Sequence, residues 1–313
     1  MDPITHALVG LAAGSFSGSS NVLANPLALG CLIGSVIPDG DIVLQYWGDF
    51  VYLKNHRGVS HSIPVMAGLS AIAALLINAI FPGNAFWSIF LWTFIGCLTH
   101  IVLDVFNSFG AKVLWPFYDK KVGTGLLLVF DPLVVVIAAL VYWFNKNNLL
   151  YTGLSIGIFI LYLLFRQFSK IRIYNILVKE ISVDVNRIVL LPSMSGLFNW
   201  DFIAYGDKVI LTGKINAIGR KIEFRDKLEI SEDWINELVM DTKIGQFFKD
   251  FSHECYISCE DRDDLYYVTL TDLRYYMKDR YMHHGTVLFN KELELVECAF
   301  HPYHNERNSR MPI

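Results

Sequence analysis

Residues 86–109 carry the sequence FWSIFLWTFIGCLTHIVLDVFNSF, an apolar run interrupted by His100 and Asp104. A helix of about 20 apolar residues crosses a bilayer, so this stretch predicts a membrane-spanning helix. In such a helix an i, i+4 pair projects from one face, one turn apart. An ionisable side chain is costly inside a membrane unless it is paired, hydrated or bound to an ion. We therefore expect His100 and Asp104 either to share a metal ion or to form a hydrogen bond that packs two helices together.

Five further apolar segments flank this stretch, at residues 4–18, 22–37, 63–81, 126–144 and 149–165. Only 18% of the 313 residues are charged, and the mean hydropathy of +0.39 indicates a membrane protein. Small side chains in the first two segments permit close helix contact, so these segments are expected to form a packed hairpin that spans or re-enters the bilayer. The pattern predicts a mainly α, polytopic membrane helix bundle of about six segments over residues 1–168.

The remaining residues, 169–313, have the composition of a soluble domain. Alternating apolar and polar residues predict strands at Lys208–Thr212 and Tyr266–Leu270, and a helical pattern covers about residues 231–248. We predict a small soluble α+β domain that regulates, binds a partner or shapes the substrate site. A net charge of −4 gives no support for a nucleic-acid partner.

Basic residues mark one side of the predicted bundle. They occur in the connections at 38–62 and 109–125 and after the last segment, whereas the other connections contain a single lysine, Lys146. The basic set is Lys54, Arg57, Lys112, Lys120, Lys121, Arg166, Lys170 and Arg172. The positive-inside rule therefore predicts a multi-pass protein of the cell membrane with both termini in the cytoplasm.

Seven potential metal ligands fall on this same predicted side. They are His6, Asp39, Asp41, His56, His61, His100 and Asp104. Taken singly, several of them also fit turns and helix caps, and Asp131 before Pro132 is expected to be such a cap. Together they exceed what a structural zinc site uses, which indicates two metals, or one metal with catalytic partners. Nitrogen and carboxylate donors without thiolate suit zinc, manganese or iron.

Arg57 lies between two of these histidines, in the stretch HRGVSHS at residues 56–62. A guanidinium is suited to bidentate contact with phosphate or carboxylate, so Arg57 is a candidate for holding an anionic group. Its alternative role is that of a positive-inside anchor.

Four motifs carry a resemblance to a known family. They are MDPITHA at 1–7, IPDGD at 37–41, HRGVSHS at 56–62, and the pair His100 and Asp104. Over about residues 1–165 the chain resembles the YdjM-type family of membrane-bound, metal-dependent hydrolases. The resemblance implies a metal site and hydrolysis, without naming a substrate. The order acid, histidine, His-x-x-x-Asp is also loosely similar to zinc-dependent phospholipase C, which favours phosphoester cleavage.

The leading hypothesis is a metal-dependent hydrolase. Its expected metal ligands are His6, Asp39, His61, His100 and Asp104, and its expected catalytic residues are Asp41, His56 and Arg57. The expected cofactor is zinc, with manganese or iron as alternatives, and the expected substrate is an ester or phosphoester of an amphiphile such as a phospholipid or lipid-linked phosphate. The rivals are a metal-ion transporter and a non-catalytic membrane regulator with a structural metal site.

Overall fold

The computed structural model of the chain describes residues 1–18, 22, 24–144, 149–181, 184–303 and 309–310. Lys146 therefore lies outside the described residues. Two compact units are present. The first comprises Met1–Ile42 and Asn55–Ile171, and the second comprises Val43–Lys54 and Arg172–Ile313.

Seven helices lie in the described part of residues 1–180. They are α1 (Pro3–Gly14), α2 (Pro26–Val36), α3 (Asp49–Asn55), α4 (Ile63–Ile80), α5 (Phe86–Phe106), α6 (Pro132–Phe144) and α7 (Leu149–Glu180). A 3₁₀ segment, Ile37–Trp47, continues from α2. Four of the described helical stretches are long and apolar enough to cross a membrane, namely Pro26–Trp47, Ile63–Ile80, Phe86–Phe106 and Gly153–Glu180. The two other predicted segments form the shorter helices α1 and α6.

Helix ends in the first unit follow from local chemistry. Asp2 caps α1 by accepting a hydrogen bond from Thr5 N at 3.0 Å, and Pro3 occupies the first turn, where its missing N–H costs nothing. The predicted cap role of Asp131 is confirmed, because its carboxylate accepts from Leu133 N at 3.1 Å at the start of α6.

Two glycines allow α2 and α5 to touch through their backbones. A β-carbon at Gly34 would overlap the carbonyl oxygen of Thr93, and a β-carbon at Gly96 would overlap the carbonyl oxygen of Cys31. Close approach through small residues is typical of helices packed in lipid. The crossing sets the position of the 3₁₀ segment after α2 relative to the second half of α5.

Besides most of α3 and the end of α7, the described part of the second unit contains antiparallel sheets and two further helices. β1 (Val185–Pro192), β2 (Asn199–Gly206), β3 (Val209–Asn216) and β4 (Ile222–Glu229) pair in chain order. β5 (Cys255–Arg262), β6 (Leu265–Asp272), β9 (His283–Asn290), β10 (Leu295–Pro302) and β11 (Ser309–Arg310) form a sheet of order β11-β10-β9-β6-β5, and β7 (Tyr276–Met277) pairs with β8 (Arg280–Tyr281). The helices are α8 (Asp233–Met240) and α9 (Lys243–Phe251).

The predicted fold class is confirmed: a helical membrane region precedes an α/β domain of antiparallel sheets. The predicted strand Tyr266–Leu270 lies within β6, and the predicted strand Lys208–Thr212 overlaps β3 from Val209 onward, whereas the helix predicted over 231–248 is two helices. The second begins at Thr242, whose side chain accepts from Gly245 N and so caps α9. The expected boundary at residue 168 falls inside α7, which continues without a break to Glu180.

The connection predicted at 38–62 is mostly helical, and its middle belongs to the second unit. There α3 packs into the main apolar core, where Leu53 is buried and Phe50 lies against it. The Phe50 ring is 4.7 Å from that of Phe247, centroid to centroid. Packing of this kind depends on tertiary contacts, and a seven-residue amphipathic stretch gives too weak a periodic signal to predict it.

Candidate metal centre

The structure brings the predicted ligands together in the first unit. α5 supplies His100 and Asp104, and the 3₁₀ segment after α2 supplies Asp39 and Asp41. α1 and the turn before α4 supply the three other histidines, which are His6, His56 and His61. Three overlapping groups of ligand atoms result, each with its atoms within 4.8 Å of one another. The groups are His6, Asp39 and His100; His61, His100 and Asp104; and Asp39, Asp41 and His56.

Four ligand atoms converge at the centre of this cluster. The Nε2 atoms of His61 and His100 are 3.1 Å apart. Asp39 Oδ1 lies 3.4 Å from the first and 3.5 Å from the second. Asp104 Oδ2 lies 3.5 Å from both. Both histidines and Asp104 are fully buried, and the Asp39 side chain is 11% exposed.

A backbone carbonyl sets the tautomer of His100. Its Nδ1 donates a hydrogen bond to the carbonyl oxygen of Ser35 at 2.8 Å. A carbonyl oxygen can only accept, so Nδ1 carries the proton and the neutral ring presents a lone pair at Nε2. Metal-binding histidines are commonly oriented in this way by a partner on the other ring nitrogen.

A serine performs the same task for His61. Ser60 Oγ donates to Asp41 Oδ2 at 3.0 Å, and it lies 2.9 Å from His61 Nδ1. Since a carboxylate only accepts, the hydroxyl proton is committed to Asp41 and the hydroxyl oxygen accepts from His61 Nδ1–H. Burial lowers the pKa of His61, which favours the neutral ring. The lone pair of His61 therefore also lies at Nε2.

Two imidazole lone pairs thus face each other between two carboxylate oxygens. Such an arrangement is repulsive unless a cation or a proton lies among them. Asp104 Oδ2, which is buried, accepts no hydrogen bond from the described residues. Nitrogen and oxygen donors directed at one point fit a divalent transition metal.

The other oxygen of Asp104 is heavily occupied. Arg57 approaches Oδ1 at 3.0 Å, the amino group of Met1 contacts it, and His6 Nε2 lies 3.4 Å away. The His6 ring stacks on His100 with a centroid distance of 3.6 Å. His6 Nδ1 is buried and has no hydrogen-bond partner in the described part of the chain, so it is a further donor that a metal could use.

Residues 1–173 match the model of a family described as "YdjM inner membrane protein". The chain belongs to the YdjM inner membrane protein family. The resemblance inferred from the motifs is confirmed, and so is the membrane location, while the orientation of the termini stays a prediction. Residues 235–311 match the "YfhP C-terminal alpha/beta plait domain". A curated relative, "Uncharacterized protein YfhP" of Bacillus subtilis (strain 168), is 29% identical over 298 residues, which cover 90% of this chain and 89% of the relative. No solved structure matches the chain.

In this YdjM-family chain Asp41 and His56 form a pair beside the central ligands. His56 Nδ1 lies 3.0 Å from Asp41 Oδ1. Asp41 Oδ2 also accepts from Ser60 and, at 3.3 Å, from the backbone N–H of Arg57. Both oxygens of Asp41 thus have hydrogen-bond partners, and these contacts orient the His56 ring directly and the His61 ring through Ser60.

Arg57 lies inside the cluster rather than at its surface, with 3% of the residue exposed. Besides Asp104 it contacts Asn107 Oδ1 at 3.4 Å and the carbonyl oxygen of Met1 at 3.3 Å. Its Nε donates to no acceptor among the described residues. The guanidinium therefore neutralises Asp104 and still has a buried donor available for an anionic ligand.

Sequence reasoning missed the groups that orient the ligands. Ser60 was visible within the HRGVSHS motif, between His56 and His61, and its spacing could have suggested a role. The Ser35 carbonyl carries no signal in a sequence, since every residue has one. The amino group of Met1 and the side chain of Asn107 were likewise not predicted.

Proposed function

We propose that this YdjM-family protein is a membrane-bound, metal-dependent hydrolase that holds one or two divalent ions, with zinc expected and manganese or iron as alternatives. The observation that carries the proposal is the pair of imidazole lone pairs that face each other at 3.1 Å between two carboxylates. A cation at that point relieves their repulsion. The proposed ligands are His6, Asp39, His61, His100 and Asp104.

The remaining polar residues have proposed roles in the reaction. When bound, a divalent ion supplies Lewis-acid activation of water and of the bond that is cleaved. His56 is the proposed general base, because its contact with Asp41 orients the ring beside the proposed metal ligands. Arg57 is proposed to hold an oxygen of an anionic substrate through its unused Nε.

An apolar cavity supports an amphiphilic substrate. It has a volume of about 360 Å³ and lies among α1, α5, α6 and α7, lined by residues such as Val9, Leu103 and Val134. Val9 is one helical turn from His6, and Leu103 directly precedes Asp104. A hydrocarbon chain in this cavity would place a polar group of the same molecule beside the metal ligands. A phospholipid or a lipid-linked phosphate has that combination.

The regulator with a structural metal site remains the second candidate, favoured by the full burial of His61, His100 and Asp104, since structural metal sites are closed. The two candidates differ in what happens when His56 is changed. A structural site tolerates His56→Gln, while a hydrolase loses turnover and keeps its metal.

Elemental analysis of the detergent-purified full chain tests the proposal. We expect one or two equivalents of a transition metal in the wild type, loss in His100→Ala, and retention in His283→Ala, a matched change of a buried histidine in the second unit. Size-exclusion profiles check folding, and phosphoester lipids are then screened for hydrolysis. A folded wild type that stays free of metal after loading with zinc, manganese or iron would overturn the metal site. A metal-loaded wild type without turnover on any ester or phosphoester lipid would favour the regulator.

A further inference from the structure

The segment Val43–Lys54 joins two parts of the proposed site but belongs to the other unit. Leu53 is 6% exposed and shares a buried apolar cluster with residues of α8, α9, β6, β9 and β10. The ring of Phe50 lies 4.7 Å from Phe247 and 6.0 Å from Phe300, centroid to centroid. α3 is thus held by the core of the second unit.

Both ends of this segment lead directly into site residues. Asp41 is two residues before Val43, and His56 is two residues after Lys54. Consecutive Cα atoms are about 3.8 Å apart, so anchoring Leu53 restricts His56 to within about 11 Å of it. Within these few residues the chain must also make the turn that sets the direction of the His56 ring.

The turn at Asn55–Gly58 has a backbone conformation that neighbouring residues must stabilise. Arg57 has a φ of 57°, a left-handed conformation that a residue with a side chain adopts mainly where its surroundings hold it. Gly58 N donates to the carbonyl oxygen of Asn55 at 2.9 Å, which closes the turn directly after α3. On the other side, Lys112 N donates to the carbonyl oxygen of Arg57 at 3.0 Å. The turn is therefore fixed at one end by α3.

We propose that Phe50 and Leu53 are positioning residues for the metal centre: by anchoring α3 in the second unit, they hold the Asn55–Gly58 turn and with it the contact between His56 and Asp41. This inference rests on the proposed function for its effect on metal affinity. The effect of Phe50 and Leu53 on the Asn55–Gly58 turn depends only on the geometry of the chain. The second unit thereby influences the site through the covalent chain, and a ligand or partner that displaces α3 from this core changes the affinity for metal, whereas a change elsewhere in the core does not.

The test compares two leucines of one core cluster in the full-length protein. Leu53→Ala alters α3. Leu270→Ala alters β6, and the Leu270 side chain is 0% exposed in the same cluster. Mn²⁺ affinity is measured by electron paramagnetic resonance of the free ion, and amide hydrogen exchange is followed over residues 55–62. We expect Leu53→Ala to weaken Mn²⁺ binding about tenfold, as loss of an outer partner of a ligand typically does, and to speed exchange in 55–62. Leu270→Ala should change neither, and Leu53→Met, which keeps the volume, should restore both.

Slow exchange over β9 shows that the second unit is folded in each variant. If Leu53→Ala fails that check, Gly-Ser-Gly-Ser inserted between Lys54 and Asn55 lengthens the connection without removing a core side chain. The same insertion between Gly219 and Arg220 is its control. Equal effects of the two leucine variants, or of the two insertions, overturn the positioning role. A wild type that binds no metal overturns the proposed function, and the exchange rates of residues 55–62 still decide the positioning role.

Discussion

Asp104 and Asp272 are both fully buried carboxylates, yet their surroundings differ in kind. Asp272 Oδ1 accepts from Ser252 Oγ at 2.7 Å and from Arg274 Nε at 2.9 Å, and its Oδ2 accepts from the same guanidinium at 2.8 Å. Although burial acts to raise it, the pKa of Asp272 lies below its ordinary value because Arg274 stabilises the anion. In contrast, Asp104 Oδ2 accepts no hydrogen bond from any described residue and faces two imidazole lone pairs. Both oxygens of the first carboxylate accept hydrogen bonds, whereas one oxygen of the second accepts none among the described residues, and the proposed metal would bind there.

The largest expected effect is on the stability of the second unit, and it follows from the removal of the Asp272 carboxylate. Asp272→Ala removes the carboxylate that balances the buried charge of Arg274, and breaking such a pair costs about 3–5 kcal/mol. The free energy of unfolding of the second unit, measured with urea, should fall by that amount while the metal content stays that of the wild type. Asp261→Ala, which removes an exposed pair with Lys291, is the control and should leave the free energy of unfolding close to that of the wild type, because water and salt screen exposed pairs. If both variants lose an equally small free energy of unfolding, the buried Asp272–Arg274 pair contributes no more than an exposed pair.

Asp104→Asn should lower the affinity for metal and leave the stability of the second unit unchanged. The amide retains the shape but loses the charge and one acceptor oxygen, so metal affinity should fall more than about 100-fold, beyond what outer partners cause. Isothermal titration with zinc measures the change, and thermal unfolding of the second unit should be unaltered. If Asp104→Asn binds zinc as tightly as the wild type, Asp104 is not a ligand.

The buried histidine His283 should make the stability of the second unit depend on pH. Burial lowers the pKa of His283 to about 4, and its Nδ1 has no hydrogen-bond partner within the described residues. Because the unfolded chain takes up the proton first, stability is present above about pH 6.5 and is lost as the pH falls toward 4, by about 2 kcal/mol between pH 7 and pH 5. Urea unfolding at the two pH values measures this loss, which should shrink in His283→Phe. An unchanged pH dependence in that variant would show that His283 is not the titrating group.

The smallest expected effect concerns a group that only orients a ligand. Ser60→Ala removes the acceptor of His61 Nδ1–H, and metal affinity should fall about tenfold. Ser62→Ala is the matched control, since its hydroxyl donates to the Val59 carbonyl oxygen and touches no predicted ligand. Titration with zinc distinguishes them, and equal affinities would show that the serine does not set the tautomer.

The membrane helices and the convergence of the ligands follow from sequence because they depend on simple quantities. Apolar length predicted α4 and α5, and charge asymmetry predicted that His6, Asp39 and His100 meet. The capping carboxylate of Asp131 had a local signal in the proline that follows it. The helices and the cap have local signals, whereas the convergence follows from the side of the membrane on which each segment is expected to end.

Other features depend on contacts that sequence does not encode locally. α3 is helical and buried because the core of the second unit accepts Phe50 and Leu53, so its short pattern alone did not reveal it. The tautomer of His100 depends on the carbonyl of Ser35, a group present in every residue. Arg57 was expected to face a substrate, and its burial against Asp104 could be seen only once both were placed.

The crossing of α2 and α5 has a consequence for genetics. Gly34 and Gly96 have no side chain to bind anything, but each allows the backbones to touch and so sets the spacing between Asp39 and His100. Substitutions at either glycine would push the ligands apart without altering one of them. In a selection for loss of the proposed activity, alleles at these positions would fall into the same phenotypic class as alleles of the proposed ligands themselves.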